Sequence, residues 1–166
     1  MVERNVILAT YASQAALDTD DGASYLTSRR NVLAYGFVGL KSDFGGHDLT
    51  ATDDVRVMLG GIAFVPTPGL VATRLALTLC NSTIILRGAG EHGYPSACAK
   101  EPGALRPVNV FGNKIYSEAR LRACGGRYLD DVLERGWDAK TTVTRGLPSA
   151  ADMVKMAKAA LSGGGK

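Results

Sequence analysis

Apolar residues along this chain come in short runs, and clusters of Gly, Pro, Asp, Asn and Ser separate them. Residues 3–17 are apolar at Val6, Ile7, Tyr11, Ala15 and Leu17, a spacing that predicts a helix. Asp18–Gly22 then reads as a turn or a helix start. From Ser24 to Leu40 the chain becomes steadily more apolar, and Gly36 and Gly39 permit close backbone contact. Lys41–Asp54, rich in Gly, Asp and Thr, reads as a loop.

The middle is the most distinctive segment, because Arg74 is the only charge between Val57 and Leu86. Pro66 and Pro68 interrupt its first half. The second half alternates at Leu75, Leu77 and Leu79, crosses Asn81-Ser82, and resumes at Thr83–Leu86. That pattern predicts two buried strands around a polar turn, with one helix over 69–86 as the competing reading. Next comes a connector over 95–113, carrying Pro95, Pro102, Pro107, Gly103 and Gly112, in which Pro107–Phe111 reads as a short edge strand.

Lys114–Arg135 looks helical through Ile115, Leu121, Leu129, Val132 and Leu133, split at Gly125-Gly126 and ended by Gly136-Trp137. The last element is the clearest: a helix from Ala150 to Leu161 with Ser149 as N-cap, Asp152 in its first turn and a glycine run after Ser162. These elements predict an α+β fold, one compact domain over 1–166 with a buried apolar middle and a C-terminal amphipathic helix. The alternative is a mainly α fold with Val57–Leu86 embedded in a membrane. Against it, the uncharged runs 58–73 and 75–86 fall short of the roughly 20 residues a spanning helix needs.

Composition narrows the picture. The chain has 166 residues, 46% hydrophobic and 21% charged, which suits one globular domain with its own core. A net charge of +3 is too small to imply nucleic acid, and the densest basic run, Lys114–Arg127, reads as a solvated face. Cys80, Cys98 and Cys124 are too far apart and odd in number for a disulfide framework or a zinc site, so they read as reduced thiols. The charged start Met1–Asn5 lacks the look of a secretory signal, and the expected location is intracellular with the compartment open.

Candidate chemistry is sparse. Asp18–Gly22 does not fit a calcium loop, since glycine falls fifth and Arg29 twelfth. Arg87 precedes Gly88, Gly90 and Gly93, which match the G-x-G-x-x-G of a phosphate-binding turn. Tyr94-Pro95 interrupts the helix that such a turn should open, and the nearest later acid, Glu118, lies beyond the usual spacing. His92 in that loop has Ser96 and Cys98 as local partners for proton or acyl transfer. His47, with Asp48, Asp53 and Asp54 nearby, is the second candidate base, although such clusters also serve as turn and capping chemistry.

No complete catalytic, cofactor or metal set is present. The residues therefore favour a non-catalytic structural or accessory subunit of a larger protein assembly, with other protein subunits as partners and a membrane as a possible one through Val57–Leu86. The alternative is a small enzyme or nucleotide- or phosphate-binding module built on the Gly88–Gly93 loop.

Overall fold

The computed structural model describes residues 1–8, 16–19, 23–42, 47–64, 77–87, 92–93, 108–122 and 140–163. Within them the chain alternates between two sheets. One contains β1 (Val2–Glu3), β4 (Thr27–Arg29), β6 (Leu49–Thr52), β8 (Leu77–Cys80) and β11 (Val108–Phe111), in that spatial order. The other contains β2 (Val6–Leu8), β5 (Val32–Ser42), β7 (Val55–Phe64), β9 (Thr83–Leu86), β12 (Lys114–Ser117) and β14 (Thr142–Arg145), again in order. A short strand, β3 (Asp18–Thr19), adds to the far end of β5. A separate pair joins β10 (His92–Gly93) to β13 (Leu121–Arg122).

Every pairing in both sheets is parallel and links a strand to its equivalent in the next pass of the chain. Each pass is therefore one coil of a parallel β-solenoid, in which stacked coils bury a continuous core that no single coil could bury alone.

The passage from the first sheet to the second takes two residues in every coil: Arg4-Asn5, Arg30-Asn31, Asp53-Asp54, Asn81-Ser82 and Gly112-Asn113, with Lys140-Thr141 entering β14. The first residue of each pair is left-handed, with φ between 51° and 68°. That single reversal turns the chain sharply enough for the next residues to join the second sheet. The way back varies in length, and residues 9–15, 20–22, 43–46, 65–76, 88–91, 94–107 and 123–139, all between a strand of the second sheet and the next such pair, lie outside the described residues.

Period-two alternation assigns the inside and the outside of each coil. Leu33, Arg56, Ile84 and Ile115 stack in register and are all buried in the lumen, with Ile7 and Val143 at the ends of the stack. Across from them, Ser28, Ala51, Leu79 and Val110 form a second buried stack. Leu49, Met58, Leu77, Leu86 and Leu121 complete the core. Full burial of each large aliphatic side chain contributes about 1.5–3 kcal/mol, so most of the stability comes from these stacks.

On the outside of the second sheet, Ala34, Val57 and Ile85 would face water, and the helix α1 (Ala150–Ser162) covers them with Met153 and Met156. Thirteen residues of helix extend about 20 Å, close to the roughly 19 Å spanned by four strand spacings. Accordingly α1 begins just after β14, and its C-cap Gly163 reaches the Arg30 guanidinium beside β5. The helix starts and stops as its sequence predicts: Ser149 Oγ accepts from the Asp152 N–H, and left-handed Gly163 closes the end.

The expected α+β domain is corrected, and so is its mainly α alternative. The chain is a two-sheet parallel β fold with one helix among the described residues. The predicted helix over 3–17 gives way to β1 and β2, with 9–15 outside the described residues, and the start of the predicted helix 114–135 is β12 and β13. In both cases a few apolar residues fit a helical period by chance, while the stacking of coils rewards alternation. The loop expected over 41–54 contains β6, whose Leu49 and Ala51 point into the core.

In Val57–Leu86 the described residues form β7, β8 and β9, with Val57, Met58, Leu77, Leu79, Ile84, Ile85 and Leu86 buried; β8 and β9 do flank the Asn81-Ser82 turn, and β11 does lie at a sheet edge. The helix considered over 69–86 is excluded from 77 onward. No helix among the described residues is long and apolar enough to cross a membrane.

Candidate functional site

The two-residue corners carry the densest polar chemistry of the molecule. Beyond the first coil the second residue of each pair is buried, and Asn31, Asp54, Ser82 and Asn113 almost wholly so, while Asn5 is exposed. Successive corners are joined by one repeated bond. The Asn5 N–H donates to Asn31 Oδ1, Asn31 to Asp54 Oδ1, Asp54 to Ser82 Oγ, Ser82 to Asn113 Oδ1, and Asn113 to Thr141 Oγ1, at 2.8–3.3 Å. Each side chain thus satisfies a backbone donor of the coil before it, which a buried turn requires.

Asp54 and Arg56 form the one charged pair in this interior among the described residues, both fully buried. Asp54 Oδ2 accepts from Arg56 Nη2 and from Ser28 Oγ, while Oδ1 also accepts from Asn31 Nδ2. Four donors on one carboxylate offset the cost of burying it. This cluster is closed to solvent, so it holds the coils together and offers a ligand no entry.

Of the predicted site residues, His47 is brought into a definite arrangement. Its Nδ1 lies 2.9 Å from Asp48 Oδ2, and Tyr25 meets the imidazole edge-on at 5.3 Å between ring centres. A carboxylate beside Nδ1 fixes the orientation of the imidazole ring. Asp53 and Asp54 do not join this group, because β6 separates them from it: Asp53 is exposed at the corner and Asp54 is in the interior.

Arg87 is exposed, and its backbone N–H donates to the Met58 carbonyl. His92 and Gly93 form β10, beside Leu121 and Arg122 of the sequence's basic run. A glycine that opened a phosphate-binding helix would not sit in a strand. Gly88, Gly90, Ser96 and Cys98 lie outside the described residues. Cys80 is buried beneath the corner, and burial pushes its thiol pKa up. Among the described residues no three His, Cys, Asp or Glu side chains converge as a metal site would require.

A groove of about 300 Å³ runs between α1 and the corners, lined by Arg30, Asp53, Asn81, Thr83, Lys114 and Met156 among others. That volume is at the lower end for small-ligand sites. Of its two cations, Arg30 and Lys114, the first is already committed, standing 3.6 Å from Glu3 and against the helix C-cap, where a cation complements the negative end of the helix dipole.

The first coil is different, because its surface is left open. Val6 and Leu8 continue the outer positions that α1 covers on later coils, yet α1 stops one coil short and they are 53% and 58% exposed. Around the adjacent corner, Arg29 donates to Glu3 at 3.0 Å, and Arg30 and Arg4 lie 3.6 and 3.8 Å from the same carboxylate. The hydrogen bond from Arg29 holds the Glu3 carboxyl below its usual value, against a smaller opposing effect of burial; the positive charges of Arg29, Arg4 and Arg30 add to the lowering. Three guanidiniums share one acid.

Sequence reasoning missed both the corner ladder and this cluster. The available signal was the polar pair before each apolar alternation, at 4-5, 30-31, 53-54, 81-82, 112-113 and 140-141. Comparison of the chain with protein-family models, with curated proteins and with solved structures found no match in any of the three.

Proposed function

We propose that the chain is a non-catalytic structural or accessory subunit of a larger protein assembly, a rigid solenoid that presents contact surfaces to protein partners. The observation that carries this reading is the uncovered first coil. On the later coils Ala34, Val57 and Ile85 are covered by Met153 and Met156 of α1 together with Tyr116 and Leu147, while Val6 and Leu8 stand in solvent beside the edge of β2. An open strand edge flanked by exposed aliphatic side chains is a surface that proteins ordinarily blunt or pair. The interior supports the same reading, since its polar groups are spent on joining coils.

The test is the native size of the tagged chain in gentle extracts of its own cells, alongside the purified chain. The expected result is a complex well above the mass of the lone chain in the extract, and binding of an apolar-surface dye by the purified chain that drops with Val6→Ser and Leu8→Ser. A chain that migrates alone in the extract and binds no dye contradicts the proposal.

A further inference from the structure

Resting on that reading, we infer that the first coil is a docking edge for an extended, acidic segment of a partner protein, added as a further strand beside β2. Among the described residues β2 pairs only with β5 and β1 only with β4, so the backbone of Val6–Leu8 has one side without a strand partner. An added strand takes up those groups, and its alternate side chains fall over Val6 and Leu8 outside and over Ile7 at the open end of the lumen.

The chemistry of the occupant follows from charge. Among the described residues Arg4, Arg29 and Arg30 pair only with Glu3, an excess of two positive charges at that corner, and buried Arg29 Nε has no hydrogen-bond acceptor there. Carboxylates on the incoming segment complete this set, since guanidinium binds carboxylate through paired, charge-assisted bonds. A second copy of this chain is the wrong partner. Stacked end to end, it would set Lys140, which occupies the same corner position as Arg4, about one strand spacing from Arg4, with Arg145 on the same end strand. Like charges at that distance repel.

The probes are a short peptide alternating glutamate with valine and its lysine counterpart, added to the full chain at low and at physiological salt. The glutamate peptide is expected to bind, to shift the backbone amide signals of Val6, Ile7 and Leu8, and to weaken as salt rises, while the lysine peptide does not bind. Arg4→Glu is expected to weaken binding about tenfold or more. The thermal midpoint should hold, because Arg4 is exposed and its only described ion pair is the long one to Glu3.

Leu8→Ser serves as a second variant that leaves charge unchanged and should also weaken binding. Equal binding of the two peptides, shifts that map away from the first coil, or full affinity in both variants overturns the inference. The subunit reading is tested separately: if both variants leave the native complex intact, this edge is refuted while the larger complex still stands.

Discussion

Asp54 is where the corner ladder and the lumen meet, and its substitution separates the two contributions. Removing the carboxylate by Asp54→Ala takes the counter-charge from the buried Arg56 guanidinium and frees the N–H of Asn31. A loss of about 3–5 kcal/mol is expected by denaturant titration. Arg56→Met also leaves a buried charge without its partner, but it should cost less, because the neutral donors of Ser28 and Asn31 stay on the carboxylate, the ladder is intact, and the thioether fills the stack between Leu33 and Ile84. Equal costs for the two would mean that the charge pair, not the ladder, dominates.

At Gly112 an added Cβ would lie 2.6 Å from Asn81 Oδ1 at a left-handed φ of +68°, so Gly112→Ala is expected to destabilise by about 1–3 kcal/mol. Glu3 gives a pH prediction. Its folded pKa is depressed, so the stability it adds is in place above the ordinary carboxylate value and is lost as pH falls through the lowered one. In an NMR titration Arg29→Gln should move the Glu3 midpoint upward; an unchanged midpoint would remove Arg29 as the cause.

At the scale of elements, what could be read in advance depended on whether the signal was local. The C-terminal helix was legible to its ends, because Ser149, Asp152 and Gly163 specify caps through bonds within a few residues. The strands flanking Asn81-Ser82 were legible for the same reason, as alternation around a polar turn. The first coil and β12 were misread because Val6–Leu8 and Lys114–Ser117 are too short to show a period, and only their neighbours in adjacent coils give them a sheet. Successive ladder partners stand 23 to 31 residues apart, an uneven period that hides the repeat.

The helix itself is attached mainly through Met153 and Met156, half-buried on Ala34, Val57 and Ile85. Replacing both with Asp should detach it without unfolding the sheets, seen as loss of helical circular dichroism with the amide signals of Ile84 and Ile115 unmoved. Ser149→Ala, by contrast, should cost only about 1 kcal/mol.

As a whole, the molecule is a stack whose two flanks differ. One flank is a constant two-residue corner tied from coil to coil by side chains; the other carries returns of unequal length. In solenoids such variable returns commonly form the binding side, and the arrangement of His47, Asp48 and Tyr25 and the β10–β13 pair both fall on it. The candidate site on the first coil was not legible because it is made by arrest of α1 one coil short, a fact of length matching that no local pattern records. The ladder is the claim on which this architecture rests, and amide hydrogen exchange tests it most directly. The N–H groups of Asn31, Asp54, Ser82 and Asn113 should exchange as slowly as those of the strands Val55–Met58 and Thr83–Leu86, although each lies in a turn between sheets. Exchange of those four at the rate of exposed turn amides would contradict it.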